Sequence, residues 1–192
     1  YCCCADNGLV LVDVSDPFHP TELSRYNTDG QCLDVAISNN ITAIADQYGG
    51  IKIFNSENPG SIAYLSRYFD HGMALKVNVE GDIAYVLDGD EVGLEILDVS
   101  NPRSPQLLGK YHEPSLSIVD IEITDDVAIL SAFDDGIIFL NISDPTNPQK
   151  ISEYTDGNYY QTSLVDGNVL YCGSFNQSIF ALNITDLQSI TI

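Results

Sequence analysis

The chain repeats itself with a fixed period, and that constrains its fold more than anything else in the sequence. Gly8, Gly50, Gly93 and Gly136 stand 42, 43 and 43 residues apart. Each opens an apolar run that ends in a turn: Leu9-Val10-Leu11-Val12-Asp13 before Pro17, Ile51-Lys52-Ile53-Phe54-Asn55 before Pro59, Leu94-Glu95-Ile96-Leu97-Asp98 before Pro102, and Ile137-Ile138-Phe139-Leu140-Asn141 before Pro145. A fifth copy, Ser178 to Leu187, follows 42 residues later. Eight residues after each anchor stands Asp or Asn (Asp16, Asn58, Asn101, Asp144, Asp186), and eighteen after each of the first four stands Tyr (Tyr26, Tyr68, Tyr111, Tyr154). Chance does not hold these offsets constant, so the chain is a tandem array.

The apolar runs are short, rich in β-branched residues and bounded by turn formers, which predicts strands. Four fit each period. In the second unit they are Leu33–Ser38, Ile41–Ala45, Ile51–Asn55 and Ala63–Tyr68, here called A to D. Asn39-Asn40 makes the A–B turn, because Asn tolerates positive φ. Asp46 to Gly49 makes the B–C turn and Glu57 to Gly60 the C–D turn, with Pro presetting φ and Asx capping its own backbone. Strand C is apolar on both faces, so each sheet is expected to pack between neighbours. Lys52 and Glu95 interrupt one face, which predicts incomplete burial there. Four antiparallel strands per ~40-residue unit define an all-β, β-propeller blade. A linear β-solenoid would have a shorter period and fewer strands per coil.

At Leu9-Val10-Leu11-Val12-Asp13 and the following Val14-Ser15-Asp16-Pro17, the chain resembles the LVIVD repeat family. The resemblance spans four good copies and one degraded one. Asn55-Ser56-Glu57 departs from it in the second copy, and Leu187 stands for the last Pro. It implies a propeller in a bacterial or archaeal protein, often large and secreted or surface-attached, hence an extracellular or cell-surface location. It implies no activity, since fold does not fix function. The expected units are 1–26 (partial), 33–69, 75–111, 118–154 and 161–192 (partial) in a single domain of three complete and two partial blades. Without an initiator Met or a signal-peptide layout, the chain reads as a mature product or an excised piece, and the strands missing from its first and last units point to a fragment of a larger propeller or an open arc.

Composition narrows the function classes. Of 192 residues, 28 are Asp or Glu and 7 Lys or Arg, for a net charge of −21. That field repels phosphate, so nucleic acid is excluded as a partner. The 44% hydrophobic content is enough to build a core. No run reaches the ~18 apolar residues needed to span a membrane as a helix.

Eleven of the acids fall on the rim shared by B–C and D–A connections: Asp6, Asp29, Asp46, Asp70, Asp88, Asp90, Glu91, Glu113, Asp134, Asp135 and Asp156, with His71 and His112 among them. Convergent carboxylates suit calcium, which takes several hard oxygen ligands, or a cationic partner. Asp88, Asp90 and Glu91, then Asp134 and Asp135, are the candidates, although turn chemistry and solubility explain the same acids. At the starts of the A strands stand Asp34, Lys76, Asp120 and Thr162. Two acids, a Lys and a Thr do not repeat as a metal ring, which argues against an enzyme. A hydrolase or lyase with an axial divalent cation would nonetheless use Asp34 and Asp120. Tyr159-Tyr160 lies out of register with the other tyrosines and is the candidate contact for a protein or carbohydrate partner, and His71 and His112, in the rim loops, are further candidates.

The remaining features read structurally. The spaced tyrosines close strand D as half-packed, half-wet edges. Cys2, Cys3, Cys4, Cys32 and Cys172 lack zinc spacing and read as small buried thiols; an odd count in an extracellular chain leaves at least one thiol over. Of the sequons at Asn40, Asn141, Asn176 and Asn183, two are by-products of the repeat, and His19 lies in an exposed loop. The leading expectation is a non-catalytic binding or structural propeller segment, with further repeats of the parent chain among its partners. An intracellular scaffold, for which reduced thiols would be natural, is the third possibility.

Overall fold

The structure, a computed structural model, describes residues 1–3, 5, 8–89, 93–114, 116–175 and 178–191. The described residues form five antiparallel sheets in chain order. The first holds β1 (Cys2–Cys3), β2 (Leu9–Asp13) and β3 (Thr21–Tyr26). The second holds β4 (Asp34–Ser38), β5 (Ile41–Ala45), β6 (Ile51–Asn55) and β7 (Ala63–Tyr68). The third holds β8 (Ala74–Glu80), β9 (Ile83–Asp88), β10 (Gly93–Asp98) and β11 (Gln106–His112). The fourth holds β12 (Asp120–Thr124), β13 (Val127–Ser131), β14 (Ile137–Asn141) and β15 (Gln149–Tyr154). The fifth holds β16 (Tyr160–Asp166), β17 (Val169–Ser174) and β18 (Ile179–Asn183). Among the described residues no helix is long and apolar enough to cross a membrane.

The repeat offsets now have physical causes. The anchor glycines face strand D: a Cβ at Gly8, Gly50, Gly93 or Gly136 would stand 2.2, 2.4, 2.4 or 2.2 Å from the carbonyl oxygen of Tyr26, Tyr68, Tyr111 or Tyr154. Gly8, Gly50 and Gly136 also have positive φ, so both backbone conformation and close approach exclude a side chain. The spaced tyrosines are half-buried, as expected of a sheet edge.

The Asp/Asn positions build paired Asx turns. Oδ1 of Asp13, Asn55, Asp98, Asn141 and Asn183 accepts the N–H two residues on, at 2.8–2.9 Å. Oδ1 of Asp16, Asn58, Asn101, Asp144 and Asp186 does the same at 2.9–3.3 Å. Two of the sequon asparagines, Asn141 and Asn183, are therefore turn caps. A β-bulge recurs three residues after the anchor in the first, second and fourth sheets, at Leu11/Val12, Ile53/Phe54 and Phe139/Leu140, which adds twist to each outer strand pair.

The chain forms two compact units, Tyr1–Glu91 with Glu95–Leu108, and Val92–Leu94 with Gly109–Ile192. In the first, alternate residues of the second sheet serve two cores. Ile44 and Phe54 pack with Leu9 and Leu11, while Ala43, Ile51 and Ile53 pack with Val77, Val86 and Leu97. In the second unit, Ile129 and Phe139 of the fourth sheet pack with Leu170, Cys172 and Leu182 of the fifth. Each fully buried aliphatic side chain contributes roughly 1.5–3 kcal/mol. This sandwiching of the second sheet between its two neighbours is why its strand C, β6, is apolar on both faces.

Two expectations need correction. Lys52 and Glu95 do not mark incomplete burial, being only 3% and 4% exposed, because each finds polar surroundings under the loops. The cysteines are not all thiols: Cys3 is bonded to Cys32. The Ala5–Cys32 bridge brings the first sheet against the chain entering the second, a proximity the sequence spacing does not reveal. Cys172 is a buried thiol as expected, its pKa pushed up to about 12 by burial and the Asp156 charge; Cys2 is exposed.

Candidate functional site

The A-strand aspartates clamp one sheet to the next. Asp34 Oδ2 accepts the Val77 N–H at 3.0 Å, one repeat on. Asp120 Oδ2 accepts the Thr162 hydroxyl at 2.7 Å and the Ser163 N–H at 3.1 Å, again one repeat on. A backbone N–H left without its acceptor at a buried seam costs about 1–3 kcal/mol, so this duty alone accounts for carboxylates here. The B–C turns add a second clamp: Ala5, Gln47 and Phe133, all at positive φ, bridge to Cys32, Ala74 and Tyr160.

Beneath the rim of the first unit lie two counterpart charged clusters. Asp46 is fully buried; its Oδ2 meets Lys52 Nζ at 2.5 Å and accepts the Gly30 N–H at 3.0 Å. Asp29, on the surface, stands 3.8 Å from the same ammonium. Gly30 and Gly49 make room, since a Cβ on either would fall within 2.9 Å of the Asp46 carboxyl group. One repeat further, Glu95 takes the place of Lys52, and Asp70, Asp88 and Glu95 converge with one carboxylate oxygen each inside 4.8 Å. Gly72 cradles Asp88, where a Cβ would lie 1.7 Å from Oδ2. The Met73 N–H approaches Asp88 Oδ1 at 3.4 Å, and the Gly72 N–H donates to Asp70 Oδ1 at 3.0 Å. Three such oxygens form part of the shell a hard cation requires.

Asp88 therefore sits in a cluster, but with Asp70 and Glu95; Asp90 and Glu91 lie outside the described residues, as do Asp6, Cys4 and Asn176. Asp70 and Glu95 were not legible as partners because they come from different loops and strands of the repeat. The signal available was the Lys-to-Glu exchange at one repeat position. Glu113 belongs to a network in the second unit, accepting from the Tyr111 hydroxyl and from Lys150 at 3.2 Å, while Lys150 also reaches Glu153 at 2.7 Å. The Tyr111 contact and Lys150 hold the Glu113 carboxyl below its ordinary range. His71, at positive φ, lies against Phe69 with ring centroids 4.8 Å apart, and His112 is exposed.

The Tyr159-Tyr160 pair is split. Tyr160 opens β16 with none of its surface exposed, its hydroxyl donating to Asp156 at 3.0 Å. Tyr159 is 39% exposed and joins two rings the sequence did not single out: Phe133 at 5.1 Å, which in turn lies 6.2 Å from Phe175. Strand alternation explains the split, since successive residues entering a strand point to opposite faces. A hollow of about 160 Å³ near the A–B turns of the second unit, lined by Thr124, Val127, Asn168 and Leu187 among others, is below the size of a small-molecule site.

The LVIVD repeat model matches residues 1–28 and 71–113. Those two stretches carry the LVIVD repeat. No curated protein matches it. Among solved structures it resembles a protein from Lactobacillus plantarum, with a TM-score of 0.78 and 17% identity over 96% of this chain and 61% of that one. BamB from Moraxella catarrhalis gives 0.69 and 14% over 94% and 54%. The computationally designed Ika4 protein gives 0.67 and 13% over 84% and 96%. The chain thus spans little more than half of either natural structure. At these identities the likeness shows the fold, a β-propeller segment.

Proposed function

We propose that this LVIVD segment is a non-catalytic binding and structural module of a secreted or cell-surface protein, meeting a protein or glycan partner through its acidic, loop-bearing rim. The observation that carries this reading is the duty of Asp34 and Asp120. Both accept hydrogen bonds from the next repeat, so the carboxylates a hydrolase or lyase would need already serve the seams. Rim carboxylates such as Asp134 are exposed to a partner. The Cys3–Cys32 disulfide favours an oxidising compartment. Further repeats of the parent chain fit the fifth sheet, where Leu164, Tyr171 and Ala181 pair across strands on one exposed face.

Titration with panels of basic peptides and of oligosaccharides tests the reading. Asp134→Asn with Asp135→Asn weakens binding, whereas Asp34→Asn and Asp120→Asn lower stability and leave binding intact. Turnover of a glycan or ester with a divalent cation, lost in Asp34→Asn and Asp120→Asn at unchanged stability, overturns it in favour of the enzyme.

A second reading is favoured by one comparison inside the chain. The ammonium of Lys52 sits between Asp46 and Asp29, and the counterpart place, with Glu95 instead of Lys, is ringed by three carboxylates. A calcium ion there does the work that Lys52 does one repeat earlier. Calorimetric titration with calcium alone gives heat in the native chain and none in Glu95→Lys, which restores a fixed cation. Equal heat in both contradicts it.

A further inference from the structure

The second unit presents a surface that the repeat does not require. Phe133 and Asp134 are the central residues of a turn closed by the Asp135 N–H on the Ala132 carbonyl at 2.7 Å. Phe133 holds its ring on the rim at a φ of 44°, a left-handed conformation unfavourable for an aromatic residue. Its carbonyl accepts the Tyr160 N–H at 2.9 Å, and the Phe175 N–H donates to the Tyr159 carbonyl at 2.9 Å. Backbone hydrogen bonds thus fix all three loops, and the rings meet edge to face. Phe175 remains 62% exposed. In the first unit the position of Phe133 is held by Ala5 and Gln47, and that of Tyr159 by Gln31 and Met73. The seam closes with those residues, so the fold gives no reason for aromatic rings in the water.

Charge complementarity indicates what covers them. Asp134 is exposed and Asp135 partly so, on a chain of net charge −21. Aromatic faces beside carboxylates select a cation, and a planar guanidinium can stack on a ring while pairing with a carboxylate. The ring half of that contact occurs within this chain, where the Arg67 guanidinium lies 4.6 Å from the Phe69 ring centroid. A neutral sugar would use the rings and gain nothing from the acids. We propose that Phe133, Tyr159 and Phe175, with Asp134 and Asp135, dock an arginine-bearing segment of a partner protein. This rests on the binding reading above and supplies its residue-level chemistry.

The test is a titration of the whole chain with a blocked hexa-arginine peptide, followed by calorimetry and proton NMR. Tyr159→Ala and Phe175→Ala each weaken binding about tenfold, while Phe18→Ala, an exposed phenylalanine of the first unit, leaves it unchanged. The arginine δ-methylene protons shift upfield in the ring current of the native chain and lose that shift in both variants. Hexalysine binds more weakly and ignores Phe175→Ala. Equal binding of hexa-arginine to native chain and ring variants, with no upfield shift, overturns the site; loss in Asp134→Asn with Asp135→Asn would then still leave the acidic-rim reading standing. No binding by the native chain overturns the site as well. Binding of cellohexaose that is lost in the ring variants replaces it with a glycan site.

Discussion

The two units use one repeat to different ends. In the first, charge is buried under the rim: Lys52 lies on Asp46, and Asp88 and Glu95 share a pocket with Asp70. In the second, Ala132 and Ile138 fill the places of Asp46 and Lys52 and are themselves buried, and the aromatic rings stand outside. A blade tolerates either arrangement because its backbone ladder and Asx turns are the same in both. The positions that vary between repeats are therefore where function is to be sought, and the constant ones are where stability resides.

The largest expected effect breaks the buried charge of the first unit. Lys52→Met leaves Asp46 without its ammonium and costs about 3–5 kcal/mol, whereas Ile138→Met at the counterpart place costs less than about 1.5 kcal/mol; urea denaturation of the two variants measures the gap. Next comes the disulfide, another feature of the first unit. Cys32→Ser releases a link across 29 residues and lowers stability by about 2–4 kcal/mol, read from the same transitions with and without reductant.

A smaller contrast lies in the strand-D serines. Ser24 and Ser66 donate to the carbonyls of Pro59 and Pro102, at 2.8 and 2.6 Å. Gly109 takes the serine's place opposite Pro145, where a Cβ would lie 2.4 Å from the carbonyl oxygen. Ser152 would meet the fifth copy, but Leu187 stands there instead of Pro, and its buried hydroxyl makes no hydrogen bond. Ser66→Ala therefore costs about 1 kcal/mol and Ser152→Ala is neutral or slightly stabilising, as thermal melts of the pair will show.

The smallest effect is acid sensitivity of the turns. The Ser15 N–H lowers the Asp13 pKa, His19 and the Phe18 N–H lower that of Asp16, and Ser100 and Thr146 lower those of Asp98 and Asp144. Folded values below the ordinary 3.8 mean stabilisation that is present above pH 3.8 and lost as the pH falls through the folded values. Urea midpoints decline below that point, and less steeply in Asp98→Asn and Asp144→Asn, which keep the acceptor without the charge.

Much of this architecture was legible in the residues. Ile41–Ala45, Ile51–Asn55 and Ala63–Tyr68 are β5, β6 and β7 to the residue, because alternation, turn formers and the period all agree there. Asn39 has the positive φ its turn demands. What could not be read was which loops meet. Tyr160 is buried and Tyr159 is not, a choice made by one residue of strand register. Phe133 and Phe175 carried no signal in the sequence, since only the folded D–A loop brings Tyr159 to Phe133 and Phe133 to Phe175. Lys52 and Glu95 broke an apolar face in the sequence and read as wet, since a buried charge is recognised only with its surroundings in view.

The central claim is that the A-strand aspartates hold successive blades together. Amide hydrogen exchange measures this at the recipients, Val77 and Ser163. The account predicts slow exchange at both in the native chain, with Asp34→Ala accelerating Val77 and Asp120→Ala accelerating Ser163 by at least tenfold, each without affecting the other. Unchanged exchange at those amides in the two variants would contradict it.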